Sequence, residues 1–256
     1  MTMAMWYRKY EALVLGAIGI LVVIALWQAA SDLGMINPLF LSSPAGIFRE
    51  AVRQIAEGVL WSDVGTTVLE IAIAFSAASA MGILAGLMMG MFSRVEFITE
   101  PFVWFLYSTP LIAFYPLFVV YLGLGFNTVV MMGFVMAVIP ITINTLAGVK
   151  STNPILIRAA HSFGATNRQI IFKIALPSAL PFIVTGLKLG VERTLIGVIV
   201  GEMFSSNAGL GFRISLYGAR LQTASLFVPL VVVVLLGLLA TQLLRLWEHR
   251  YVDRTR

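Results

Sequence analysis

The sequence predicts an all-α membrane protein with six transmembrane helices and both termini in the cytoplasm. Three observations carry this expectation. The 256 residues are 59% apolar and only 11% charged, with a mean hydropathy of +0.95, against roughly 45–50% apolar and 25% charged in a soluble domain. Apolar runs recur at lengths near the ~20 residues that a helix needs to cross a bilayer. Basic residues are distributed unevenly between the segments that join those runs. Too little polar surface remains to cover a water-soluble body of 27.9 kDa, which excludes a soluble enzyme, a disordered chain and a nucleic-acid binder of ordinary type. The net charge of +5 is therefore read by position relative to a membrane. With no Cys, disulfides and thiolate metal sites are excluded. Two His, His161 and His249, are too few for an imidazole-built metal centre. Neither a catalytic nor a metal site is expected.

The first span covers residues 12–30, a stretch without charge. Arg8 and Lys9 before it and Gln28-Ala29-Ala30 at its end also suit a signal peptide, but the run is long for a signal h-region, so it is read as a retained span. Residues 31–62 begin turn-rich (Asn37-Pro38, Ser42-Ser43-Pro44). They continue as a helical pattern from Ala45 to Val59, with Arg49, Glu50, Arg53 and Glu57 on its polar side, a solvated or interfacial connector. The second span, 64–92, carries Glu70 close to its outer end. The third and fourth, 101–122 and 127–148, divide the charge-free run between Glu100 and Lys150 at Gly123-Leu124-Gly125-Phe126-Asn127. The fifth, 176–204, contains Lys188, Glu192 and Arg193, and the sixth, 221–244, is again charge-free. Six crossings leave both termini on one side. With that side cytoplasmic, the inner segments hold Arg8, Lys9, Arg94, Lys150, Arg158, Arg168, Lys173, Arg245, Arg250, Arg254 and Arg256, eleven against the outer four, Arg49, Arg53, Arg213 and Arg220. The positive-inside rule selects this orientation. Residues 1–256 are then one transmembrane domain with one sizeable cytoplasmic segment, 150–175.

That segment has helix punctuation. Asn153-Pro154 reads as an N-cap followed by proline at the first helical position. A short helix from Ile155 to Phe163 follows, and Gly164 stands where a left-handed C-terminal cap belongs. Thr166 or Asn167 can cap a second short helix running to Pro177. Ile155, Ala159 and Phe163 share a face, with Leu156 and Ala160 beside it. A DNA-binding helix-turn-helix fits the shape but not the tether to membrane at both ends. A plain connector and a docking element for a cytoplasmic partner are the other readings, and exposed Ile, Leu and Phe favour the second because they need a cover.

The run Arg158-Ala159-Ala160-His161-Ser162-Phe163-Gly164-Ala165, followed by Ile174-Ala175-Leu176-Pro177, resembles the EAA loop of ABC importer permeases. That pattern is Glu-Ala-Ala, three residues, Gly, nine residues, then Ile-x-Leu-Pro; Arg158 stands where the Glu is usual. Four further stretches are similar to the nitrate/sulfonate/taurine branch of that family: Phe40-Leu41-Ser42-Ser43-Pro44, residues 109–117 from Thr109-Pro110 to Pro116-Leu117, Asn144 to Lys150, and Gly201-Glu202-Met203-Phe204 with Gly209-Leu210-Gly211. The likeness covers roughly residues 35–248. Glu70 occupies a position where the branch often has Arg, and Glu192 one where a small residue is usual. The resemblance implies a type I importer permease in the bacterial inner membrane. Two copies would form the pathway by alternating access, with two ATP-binding cytoplasmic subunits beneath and an extracytoplasmic solute-binding protein above. Arg158, Ala159, Ala160, Phe163, Gly164 and Ala165 would couple to the ATPase. The implied solute is a small organic or inorganic anion such as a sulfonate, taurine or nitrate; the alternative is a vitamin or vitamin precursor (pyrimidine, riboflavin) or an aromatic carboxylate. No Gly-Lys dipeptide occurs in the chain, so there is no Walker A cradle, and ATP and Mg are expected on the partner ATPase, with no cofactor in this subunit.

Candidate pathway and packing residues follow from what lipid tolerates. Gly82, Gly86 and Gly90, like Gly186/Gly190 and Gly197/Gly201, recur four apart and let helices approach closely, as a moving contact or as static packing. Pro110, preceded by Tyr107, Ser108 and Thr109, frees backbone carbonyls that face protein or a water-filled cavity; it marks pathway lining or a plain kink. Lys188 and Glu192 are spaced to pair on one helical face. Arg193, near the midpoint of its span, either faces the pathway and attracts an anion or forms a structural ion pair with Glu202 or Glu70. Asn144, Glu192 and Glu202 complete the candidate lining. A self-sufficient channel or secondary transporter could use Lys188, Glu192 and Arg193 as an ion relay, but such proteins often show related halves, and no repeat relates residues 1–125 to 126–256. A membrane-embedded enzyme would need its constellation inside the spans, whereas His161 and His249 fall on the cytoplasmic side.

Overall fold

A computed structural model describes residues 3–251. The side chains of Arg8, Lys9, Asn167, His249 and Arg250, and the whole of Arg254 and Arg256, lie outside the described residues, and with them part of the basic cytoplasmic tally. Among the described residues every regular element is helical. In chain order these are α1 (Met3–Asp32), α2 (Pro44–Ala56), α3 (Val59–Met91), α4 (Ser93–Ser108), α5 (Tyr115–Leu122) and α6 (Phe126–Lys150), then α7 (Pro154–Ser162), α8 (Asn167–Ile170), α9 (Leu176–Ser205), α10 (Leu210–Ala219) and α11 (Thr223–Tyr251). A 3-10 turn, Leu111–Phe114, precedes α5, and a π turn, Ile171–Ala175, joins α8 to α9. Five stretches are long and apolar enough to cross a membrane: Val14–Asp32, Val59–Met91, Phe126–Lys150, Arg168–Ser205 and Thr223–Leu246. A sixth arises if α4 and the stretch Leu111–Leu122 count together.

Two expectations are corrected here. The third span is not one helix over 101–122. It begins at Ser93, stops at Ser108, and resumes at Leu111 after a bend of 93°. Pro110 has no N–H to continue the helix, and it pushes the preceding Thr109 into an extended conformation (φ −84°, ψ 138°). The Phe105 carbonyl keeps the last helical bond, from the Thr109 N–H, and also accepts the hydroxyls of Ser108 (3.0 Å) and Thr109 (2.7 Å). The second correction concerns the short helix after Gly164, which does not end at Pro177. The π turn carries it directly into α9, with the Leu176 N–H reaching back five residues to the Ile171 carbonyl. Pro177 thus falls in the first turn of α9.

The chain forms two compact units. The first comprises residues 1–61 and 214–231. In it, Ser43 caps α2 by accepting the Gly46 N–H (3.1 Å), with Pro44 in the first turn. The Gln28 side chain of α1 accepts the Ala45 N–H (3.1 Å), and Thr223 at the start of α11 donates to the Leu39 carbonyl (2.6 Å). Glu50 and Gln54, read from the sequence as part of a water-facing side or left unassigned, turn inward. Gln54 donates to the Ser225 carbonyl (3.2 Å) and to Glu50 (3.1 Å), and Ser225 donates to Glu50 (2.9 Å). Burial pushes the Glu50 carboxyl up, but hydrogen bonds from Arg53, Gln54 and Ser225 outweigh it and hold the group below its ordinary value. A depressed carboxyl contributes stability that is complete above the unfolded value, about 4.3, and lost as pH falls through the folded one. The attachment of α2 should thus be indifferent to pH from neutrality down to about pH 5 and loosen only in stronger acid. Amide exchange across α2, corrected for intrinsic rates, should rise below that point, and Glu50→Gln should remove the acid step.

The second unit comprises residues 62–213 and 232–256. At its centre α6 packs between α3 and α9. Side chains cannot squeeze water from one another in lipid, so close backbone approach supplies the packing. A Cβ on Gly82 would come within 2.8 Å of Ile141, one on Gly86 within 2.5 Å of Thr145, and one on Gly90 within 2.6 Å of Val149. The glycine stripe of α3 therefore receives a stripe of branched side chains from α6, four residues apart in both helices. On the other flank, Gly186, Gly190, Gly197 and Gly201 of α9 meet Asn144, Ile141, Gly133 and Val129 of α6. Small buried groups continue the contact: Ala74 with Val129 and Val198, and Ala78 with Ala137 and Ile141.

Candidate functional site

Helix α7 and its turn form the first candidate. The Asn153 side chain accepts the Ile155 N–H (2.9 Å) and Pro154 occupies the first turn. At the other end the Gly164 N–H binds the His161 carbonyl (2.9 Å) and the Ala165 N–H binds the Ala160 carbonyl (3.0 Å). These are the paired bonds of a Schellman termination, which needs the left-handed φ of +77° at Gly164. Thr166 then caps α8: its hydroxyl accepts the Gln169 N–H (3.3 Å) while the Gln169 side chain accepts the Thr166 N–H (2.8 Å), a reciprocal capping box. The turn is fixed on both sides, yet its apolar residues are left uncovered. Phe163 is 92% exposed, and Ile155 and Leu156 exceed half. Arg158, Ala159 and Gly164 are also exposed, and Ala160 and Ala165 half-buried. Nearby, Lys150 at the end of α6 pairs with Glu96 of α4.

The second candidate is a cleft of about 400 Å³. The break at Thr109-Pro110 turns the chain so that Tyr107, Thr109 and Pro110 line it together with Arg193 of α9. Its remaining walls are apolar side chains, among them Met136, Ile139 and Leu189, and no carboxylate lines it. Arg193 points there because its neighbour Thr194 takes the buried side of α9, its hydroxyl returned to the Gly190 carbonyl (2.8 Å).

Other sequence candidates fall elsewhere. Ser108 is exposed but outside the cleft. Asn144 donates to the Pro140 carbonyl (2.8 Å) and packs against Gly186. Glu192 opens onto a different, largely apolar cleft of about 800 Å³ between α3, α9 and α11.

Glu202 is the clearest correction: it is 0% exposed and lines neither cleft. One of its oxygens accepts the Thr67 hydroxyl (2.6 Å) and the other the Gly211 N–H (2.6 Å). Glu70, 1% exposed, lies against it. Among the described residues neither carboxyl takes the Arg193 guanidinium, so of the two readings of Arg193 the ion pair with Glu202 or Glu70 does not form here. Asp63 completes it, accepting the Gly209 N–H (3.0 Å) and the Arg213 guanidinium (2.5 Å), while Thr67 accepts the Leu210 N–H (3.0 Å). Gly209 has a φ of +98°, and a side chain there would overlap the Glu202 carboxyl. Asp63 and Thr67 escaped the sequence reading. The signal was present: polar residues at 63, 67 and 70 repeat at helical spacing along one face of an otherwise apolar run.

The family model for the binding-protein-dependent transport system inner membrane component matches residues 78–253. Among curated proteins, the taurine transport system permease protein TauC of Escherichia coli is 29% identical over 234 residues, covering 90% of this chain and 85% of that one. The formylaminopyrimidine transport permease protein ThiX of Halalkalibacterium halodurans is 29% identical over 242 residues, covering 94% and 96%. Among solved structures, an inward-facing MetNI methionine ABC transporter aligns with a TM-score of 0.61 at 19% identity, over 75% of this chain and 97% of that chain, a likeness of fold.

Proposed function

This chain belongs to the family of inner membrane components of binding-protein-dependent transport systems and is an ABC importer permease; from that premise we propose how it is assembled and what it moves. Two copies form the pathway, two ATP-binding subunits dock beneath them on α7, and an extracytoplasmic binding protein delivers the solute. The observation that carries the docking is the uncovered apolar face of α7, ending in a Phe163 that is 92% exposed on a turn fixed by backbone hydrogen bonds at both sides. A rigid, capped element transmits displacement, and an apolar anchor of this size fits a partner's groove. ATP-driven closure of the partners would pull on α7 and, through the continuous helix 168–205, on α9. Purified in mild detergent, the chain should bring down a Walker-A-containing ATPase at equal copy number.

The cleft at Arg193 supports a small anion as solute. A guanidinium facing a mostly apolar cleft with no carboxylate on its walls is costly to leave unmatched, and a sulfonate, taurine, nitrate or carboxylate group would match it. The taurine relative supports this reading; the formylaminopyrimidine relative supports a vitamin precursor as the second. Removing a charged hydrogen-bond partner costs about 1.5–3 kcal/mol, so Arg193→Ala should slow uptake of the anionic solute by roughly 10- to 100-fold with the complex still assembled. ATPase stimulation of the reconstituted complex by its own binding protein, across a solute panel, identifies the solute. A neutral solute carried equally well by the Arg193→Ala variant would overturn the anion reading.

A further inference from the structure

We propose that α2 is a membrane-surface helix, with Phe48, Val52 and Ile55 immersed among lipid acyl chains and Arg49 set against lipid phosphate. Its height is fixed by where it is tied. The charge-free run 12–30 within α1 is 19 residues long, about 28 Å of helix, which matches the ~30 Å hydrocarbon layer. Gln28, within a turn of its end, holds the first turn of α2 through the Ala45 N–H. Further along, Glu50 and Gln54 are held by Ser225, two residues into the span that begins at Thr223. Thr223 itself holds the approach to α2 at Leu39. Each tie lies within about one turn of the point where a span meets the headgroup layer, so the helix runs along that layer and does not rise from it.

The two faces of α2 then have an order opposite to that of a water-facing helix. Its polar Glu50 and Gln54 point inward to Ser225, while Phe48 is 70%, Val52 52% and Ile55 44% exposed. These three lie on one arc of the helix, and Arg49 borders it. An outward apolar arc with a basic margin is the arrangement of an interfacial helix, the arc in the acyl boundary and the base at the phosphates. The ties at Gln28, Thr223 and Ser225 hold this arc level with the headgroup layer, which favours lipid over a second protein chain as its cover.

Because the chain has no Cys, single nitroxide labels can be placed at Phe48→Cys, Val52→Cys, Ile55→Cys and Glu57→Cys without removing a native thiol. In the complete transporter reconstituted in phosphatidylglycerol or phosphatidylcholine vesicles, labels at 48, 52 and 55 should collide several-fold more often with oxygen than with a water-soluble nickel chelate, and the label at 57 the reverse. Preference for the chelate at all four positions overturns immersion. Shielding from both reagents, with spin–spin coupling between copies, assigns the face to a second copy and overturns it equally. The label at 52 should sit at a different depth in vesicles of a phosphate-free galactolipid than in either phospholipid, and Arg49→Gln should abolish that difference; equal depth in the unsubstituted helix overturns the phosphate contact.

Discussion

Phe163→Asp is expected to abolish co-purification of the ATPase subunit while leaving the chain folded in the membrane. The side chain is 92% exposed, and the turn beneath it is held by backbone bonds at Gly164 and Ala165 that the substitution does not touch, so intrachain stability has little to lose. Docking has much to lose. Truncating an interface anchor costs about 2–4 kcal/mol, a factor of roughly 30 to 1,000 in affinity, and a carboxylate adds the cost of entering an apolar groove uncompensated. Pull-down ratio and ATP turnover of the reconstituted complex measure the effect. Undiminished association would remove α7 as the docking element. Lost association accompanied by lost expression would instead point to a folding defect, which Phe163→Ala, smaller and neutral, separates by weakening association alone.

Gly86→Leu is expected to cost the chain its stable form. A Cβ at that position would stand 2.5 Å from the Thr145 Cβ and 2.6 Å from the Thr142 carbonyl oxygen. The second of these is backbone and cannot rotate away, so α3 and α6 must separate along their length. Overpacking costs about 1–3 kcal/mol where neighbours can adjust, and here the helix pair at the centre of the unit cannot. Thermal stability in detergent should fall sharply. Gly16→Leu is the matched control, because a Cβ there meets nothing within 4 Å and the added side chain faces open surroundings on an apolar helix. A normal melting profile for Gly86→Leu would refute the close approach; equal losses at both positions would implicate membrane insertion and not packing.

Much of this protein is legible in one dimension because a bilayer imposes a simple rule. Backbone polar groups must be satisfied within each crossing, so long apolar runs can only be helices, and the spans 12–30, 64–92, 127–148 and 221–244 correspond to helical runs at Val14–Asp32, Val59–Met91, Phe126–Lys150 and Thr223–Leu246. The caps of α7 were equally readable, since Asn153, Pro154 and Gly164 act on their own neighbours. What sequence could not supply was the angle at Pro110: a proline that kinks a helix and one that ends it look alike until the preceding residue's conformation is known, and here Thr109 is extended.

The composition and local spacing of this chain determined its class, its crossings, its capped turn at Gly164 and the glycine stripes that allow helices to touch. Those properties depend on each residue's relation to solvent or to neighbours within a turn. The tertiary structure decided which charges meet. Arg193 and Glu202 lie nine positions apart on one helix, yet one opens onto a cleft and the other is sealed against Thr67 and Gly211. Of the partners of Glu202, Thr67 comes from α3, 135 positions away, and Gly211 from α10, and pairing between helices follows from how they pack, which spacing along one of them does not encode.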